Sequence, residues 1–201
     1  MTQTYAVGTS RGGAGVWIFR ALIIAGAAFM LYSWFAPWWS AKVSVIPGDD
    51  HMVLHPWGIQ AVAQVRANTD ESAFEMPFPS LFAGFMWVYL VVCMLALAAS
   101  LFVERTISLG RIKLPLAAVL ILLVGLSYMV AVGLALGIGE LKAGWAGANF
   151  IGTSMIKEPQ SGAKIKMISD LKIGYWLALG AGAVLFVLAL LRGLFANKLK
   201  A

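Results

Sequence analysis

Four long apolar runs, at about residues 19–39, 80–103, 114–138 and 173–191, leave this chain few ways to fold. Each approaches the roughly 20 residues that a helix needs to cross a hydrocarbon layer about 30 Å thick. None carries an acidic or basic side chain at its centre. Lipid offers backbone N–H and C=O groups no partners, so such runs are stable there as helices that bond internally. Composition agrees: 61% of the residues are hydrophobic and 12% charged, against about 25% charged in soluble domains. The first run has Arg11 and Arg20 before its apolar core. It is longer than a signal-peptide core and ends in WFAPWWS rather than a small-residue cleavage site, which predicts a retained span.

Basic residues set the expected orientation. Arg11 and Arg20 precede the first span, Arg105, Arg111 and Lys113 lie between the second and third, and Arg192, Lys198 and Lys200 follow the fourth. Glu104 is the only acid in those segments, whereas the longer loops at 40–79 and 139–172 mix both signs. The positive-inside rule therefore places both termini in the cytoplasm and the two longer loops outside. Lys157, Lys164, Lys166 and Lys172 make the second outer loop basic near span four. Trp34, Trp38, Trp39, Trp145 and Trp176 fall near the expected outer interface, where an amphipathic indole is favoured, and Trp17 marks the inner one. A basic rim against anionic lipid accounts for the net charge of +6 without a nucleic-acid partner. The single cysteine, Cys93, lies inside span two, so no disulfide framework reports on the compartment.

The larger loop contains KVSVI (42–46) and MVLH (52–55), alternating segments separated by the turn signal PGDD, which predict a β-hairpin at the membrane surface. After Pro56, WGIQAVAQVRA either extends that sheet or forms a short interfacial helix, and NTDESAFEMPFPS returns the chain to span two. The second loop opens with GELKAGWAGANFIGTS, too apolar for a free loop, which suits a segment lying along the interface or against a neighbour. ERTISLGRIK is short enough to make spans two and three antiparallel neighbours. Two small-residue pairs stand out inside the spans. Gly133 and Gly137 form a GxxxG in span three, and Ala178 with Gly182 forms a similar pair in span four. Small residues let helices approach closely, within the bundle or against another subunit.

The chemistry-bearing stretch is PGDDHMVLHPW (47–57), which holds both histidines of the chain. Asp49, Asp50, His51 and His55 are candidate ligands for copper or zinc, since imidazole and carboxylate suit both. In a strand, His51 and His55 would share a face but stand roughly 13 Å apart, too far for one ion. In a helical turn they would converge, but Pro56 biases His55 away from that conformation. No histidine lies in any span, so no intramembrane haem is expected. A quinone cleft lined by Tyr32, Trp34, Trp87 and Trp176 is a further alternative. Cys93 and Ser100 have no histidine at matching depth to act as a base, and no phosphate loop, CxxC or HExxH occurs. Glu140, just past span three, reads as a snorkelling interfacial charge.

Four spans, cytoplasmic termini, a larger strand-bearing first outer loop and a shorter second one resemble the outline of claudin-like tetraspan proteins. Of the Trp…GLW…Cys…Cys signature of that group, this loop offers Trp57-Gly58 and no cysteine, so the resemblance implies topology and no residue role. The outline is also similar to that of small accessory subunits of respiratory or monooxygenase-type membrane complexes. The expected architecture is an all-α integral membrane protein. It would be a single four-transmembrane-helix bundle over residues 1–201, with a small, possibly β-containing extracytoplasmic cap built mainly from 40–79. The expected role is a non-catalytic accessory or scaffold subunit that binds other integral-membrane subunits, or itself, in the lipid bilayer. A metal-handling or redox subunit and a small lipid or hydrophobic-substrate carrier are the alternatives. The carrier reading is weakened by the lack of a polar midplane site.

Overall fold

A computed structural model describes residues 14–63, 65, 80–103, 105–109, 112–157 and 162–196. Arg11, Pro77, Pro79, Glu104, Arg111, Lys198 and Lys200 lie outside the described residues. Among the described residues, four helices are long and apolar enough to cross a membrane. They are α1 (Ala14–Phe35), α2 (Ser80–Phe102), α3 (Leu116–Trp145) and α4 (Ile173–Ala196). Between α1 and α2 run β1 (Trp39–Val43), β2 (Met52–His55) and β3 (Gly58–Ala61). β4 (Thr106–Leu109) and β5 (Ile112–Pro115) lie between α2 and α3, and β6 (Gly152–Lys157) and β7 (Lys164–Leu171) between α3 and α4.

The expectation of an all-α protein is corrected by the sheet. Strands from both longer loops join in one antiparallel five-stranded sheet, ordered β3-β2-β1-β7-β6. Each neighbouring pair in it is antiparallel. The second loop contributes because KIKMISDL alternates: Lys164, Lys166 and Asp170 take the exposed side, while Met167 and Ser169 are buried. A strand paired on both sides satisfies its backbone groups where an irregular loop would leave them unmet. WGIQAVAQVRA extends the sheet through β3, paired to β2 from Met52↔Ala61 to His55↔Gly58. ERTISLGRIK is also more than a connector, since Thr106–Leu109 and Ile112–Pro115 pair as a separate two-stranded ladder.

Two spans have different ends from those expected. α1 stops at Phe35 rather than near residue 39, with a last bond from Ala36 N–H to Tyr32 O of 3.0 Å. Pro37 has no amide hydrogen and disfavours a helical Ala36. α3 continues past residue 138 to Trp145, so that GELKAGW is helix and not a surface-lying segment. Its 30 residues span about 45 Å, longer than the hydrocarbon thickness, and carry the helix up to the sheet. Gly139 there lies under the ring of Phe150, 2.6 Å from where a Cβ would sit.

The sheet grows directly out of a helix pair. α1 runs through Ala36–Trp38 into β1, and β7 runs through Lys172 into α4, while β1 and β7 pair from Trp39↔Leu171 to Val43↔Met167. The junction is closed by Lys172 N–H to Trp38 O, 2.9 Å, and Gly174 N–H to Pro37 O, 3.0 Å. A Cβ at Gly174 would stand 2.5 Å from Pro37 O, so this approach requires glycine.

The bundle core is made by Ile23, Met30 and Trp34 of α1, Leu97 of α2, Ile121, Tyr128 and Val132 of α3, and Leu185 of α4, all essentially without solvent contact. Glycines decide which helices meet most closely. Gly125 of α3 faces backbone atoms of Gly182 and Phe186 of α4, and Gly26 of α1 faces Leu185. α3–α4 and α1–α4 are accordingly the tightest pairs, α2 packs on α3, and α1 and α2 meet more sparsely. One polar network crosses this core. Ser33 Oγ donates to Met30 O at 2.8 Å and meets the Tyr128 hydroxyl at 2.8 Å, and Trp38 Nε1–H donates to Ser33 O at 2.8 Å.

Candidate functional site

The stretch 47–57 folds as a turn between β1 and β2, followed by the tight β2–β3 connection. Gly48 has φ +113° and Asp50 φ +54°, so two left-handed residues fold the chain back within a few positions. Aspartate tolerates that region better than most side chains because it bonds locally. Here Asp50 accepts from Ser40 Oγ at 2.6 Å and from Lys172 Nζ at 2.9 Å, with Lys172 also 3.2 Å from Asp170. Asp49 pairs with Lys42 at the exposed edge of the turn. The Ser40 hydroxyl and then Lys172 hold the Asp50 carboxyl below its usual value, and Lys42 does the same for Asp49. Asp50 in turn raises the Lys172 ammonium.

His51 is buried and acts as a connector. Its Nδ1 accepts from Val43 N–H at 2.9 Å, which leaves the ring proton on Nε2 facing Pro47 O at 3.4 Å. Its own carbonyl accepts from Val62 N–H at 2.9 Å, tying β3 back to the turn. Asp49, Asp50 and His51 therefore all have protein partners, and His55 points elsewhere. Among the described residues, no three His, Cys, Asp or Glu side chains gather where they could hold a metal ion.

His55, only 7% exposed, joins an aromatic network at the sheet end of α1 and α2. Its imidazole stacks on Trp57 at 4.8 Å and 10°, and Trp57 stacks on Trp87 of α2 at 6.2 Å. Trp34 meets Trp87 edge-on at 6.0 Å, and Phe35 lies 5.9 Å from it. Burial pushes the His55 pKa down, opposed by a hydrogen bond of one imidazole nitrogen to the Ala36 backbone. Three nitrogens of this network are buried without a hydrogen-bond partner among the described residues: Trp34 Nε1, His55 Nδ1 and Trp57 Nε1. Each such orphan costs about 1–3 kcal/mol. Of the expected quinone-cleft residues, Trp34 and Trp87 come together here; Tyr32 is largely exposed, and Trp176 instead meets Tyr175 at 5.4 Å.

The expected interface tryptophans divide. Trp34, Trp38 and Trp39 are buried, whereas Trp145 and Trp176 are exposed. Trp38 sits between Tyr128 and Tyr175, edge-on to both at 6.4 and 6.3 Å. Trp39 stacks on Phe150 at 5.1 Å and donates to its carbonyl at 2.5 Å, joining β1 to the segment after α3. Trp38 and Trp39 satisfy their N–H groups against the chain instead of a headgroup, because the sheet covers the helix ends, whereas the Trp34 N–H is buried without a partner.

The two small-residue pairs also divide. Ala178 and Gly182 lie in the bundle, where a Cβ on Gly182 would come within 2.7 Å of Met129 Cγ. Gly133 and Gly137 are exposed, with nothing within 4 Å of a Cβ at either position among the described residues. Val130, Leu134 and Leu141 flank them on the same exposed side of α3.

No protein-family model matches the chain, and no curated protein matches it in sequence.

Proposed function

We propose that this protein is a non-catalytic accessory or scaffold subunit of a multi-subunit integral-membrane complex, held to a neighbouring span through the outward face of α3. The observation that carries this reading is the placement of Gly133 and Gly137, at which an added Cβ would meet nothing within 4 Å among the described residues. A lipid-facing helix position gains nothing from glycine, which costs about 1 kcal/mol relative to alanine in a helix interior. A second helix packed across the pair would recover that cost through close backbone approach. The strands at the two edges of the sheet among the described residues, β3 and β6, are a second means of attachment, since an edge strand can accept a strand from a neighbour. In this reading the sheet lies outside the cell and both termini inside, following the distribution of Lys and Arg.

Extraction from the native membrane in mild detergent, followed by mass determination of the intact particle and its polypeptides, tests this. The expected particle contains several different chains, and Gly133→Leu/Gly137→Leu releases this one as a folded monomer. A wild-type particle containing this chain alone would overturn the proposal.

A further inference from the structure

Strands β4 and β5 join α2 to α3 as a two-stranded ladder apart from the main sheet. A lone two-stranded hairpin is marginal in water and needs something packed on one face to hold it. The register divides this one sharply. Ile107 stands opposite Leu114 and Leu109 opposite Ile112, so alternation puts these four aliphatic residues on one face and Thr106, Ser108, Lys113 and Pro115 on the other. Among the described residues the chain leaves the apolar face open. Leu114 is 39% exposed, Ile107 is only partly buried, and Phe102 at the end of α2 is 80% exposed.

The spans fix what that face meets. α2 ends at Phe102 and α3 begins at Leu116, whose N–H donates to Arg105 O at 2.8 Å, so the ladder closes directly on the two helix ends. Its four-residue strands reach only about 14 Å from there, beside an interfacial layer about 5–8 Å deep. Standing upright, the hairpin would show its aliphatic residues to water. Lying flat, it sets them on the acyl boundary and leaves its edge N–H and C=O groups among headgroups and water, which can meet them.

We infer that β4 and β5 form an in-plane membrane anchor that binds anionic phospholipid, its apolar face on the acyl boundary and its basic residues at the headgroup phosphates. Segment 104–115 carries Arg105, Arg111 and Lys113 against the single acid Glu104. Arg105 is exposed at the foot of the ladder, and the register sets Lys113 opposite Ser108 on the polar face. Basic residues beside an apolar face at a bilayer surface favour anionic over zwitterionic lipid. A soluble protein could also cover four aliphatic residues, but lipid already borders the helix ends to which both strands are tied. The inference rests on the helices crossing a membrane; it is independent of the outward face of α3 and of the accessory-subunit reading.

The test uses the full chain alone in nanodiscs of phosphatidylcholine, with and without phosphatidylglycerol, and follows amide hydrogen exchange by mass spectrometry. Exchange across β4 and β5 is expected to slow about tenfold or more when phosphatidylglycerol is present, with β1 and β2 of the main sheet as the internal reference. Arg105→Gln/Lys113→Gln should return most of that gain, about fivefold for each charge removed. High salt on the unaltered protein should narrow the same difference by screening, which keeps the inference testable should a variant misfold. Ile107→Ser/Leu114→Ser should speed exchange in both lipids. The nanodisc holds no other protein, so fast hairpin exchange in both lipids would assign the cover of this face to a protein partner. That result, or equal protection in the two lipids, would overturn the inference.

Discussion

Replacing Gly125 with alanine adds one methyl group at the closest helix contact in the bundle. The new Cβ would stand 2.7 Å from Phe186 N and 2.9 Å from Gly182 O, whereas unstrained carbon contacts lie at about 3.5–4.0 Å. Both obstructing atoms are backbone, so no change of rotamer relieves them and α3 must move from α4 by roughly 0.8 Å, a gap that forfeits a quarter to a half of each facing dispersion well. Overpacking of this kind costs about 1–3 kcal/mol, and alanine's better helix propensity offsets at most about 1 kcal/mol of it. Gly133→Ala in the same helix is the matched control, because among the described residues nothing lies within 4 Å of its Cβ and only the propensity gain of about 1 kcal/mol or less applies. Unfolding of the purified chain in mixed micelles, followed by circular dichroism, should therefore separate the two variants by roughly 1–3 kcal/mol, with Gly125→Ala the less stable. Equal stability of the two, or a larger loss at Gly133, would refute the assignment of inner and outer faces on α3.

The buried, neutral His55 makes stability depend on pH. Its folded pKa lies below the ordinary 6.5, so the unfolded chain takes up the proton first as pH falls. Its contribution is full above 6.5 and is lost below it, through the folded value. Melting temperature measured from pH 8 to pH 5 should fall, with a shallower fall in His55→Phe. Lys172→Met removes a partner from both Asp50 and Asp170; because these groups are partly exposed, the loss should be about 1 kcal/mol or less, with the Asp50 carboxyl titrating closer to 3.8 by NMR. Trp39→Ala removes a stack and a hydrogen bond that join β1 to the end of α3 and should cost about 3–5 kcal/mol, with faster hydrogen exchange in β6 and β7 as the local sign. Tyr128→Phe leaves Ser33 its bond to Met30 O, so its loss should be only about 1 kcal/mol by the same unfolding assay.

Length without charge and strict alternation are local signals, so the four spans and the strand Met52–His55 are legible in the sequence, and Pro56 keeps His55 out of a helix. The partner strand is not: it runs over Trp39–Val43 rather than 42–46 and pairs with β2 through Trp39–Ala41, because Pro37 ends α1 early and the chain enters the sheet at once. The tertiary structure alone decided which face of each span looks inward. These helices are apolar all round, so a period of 3.6 residues leaves no polar face to mark the outside. Gly182 turned in and Gly133 turned out therefore read identically in the sequence, as did Trp34 against Trp176. The union of the two loops in one sheet was also beyond local reading. β1 pairs with β7, more than 120 residues away, and only the packing of α1 against α4 brings those strands side by side. The same packing folds the histidine stretch over the helix ends, where Asp50 meets Lys172 and His55 meets Trp57. A cluster assembled from β2, the turn after it and two helices has no spacing that a sequence could display.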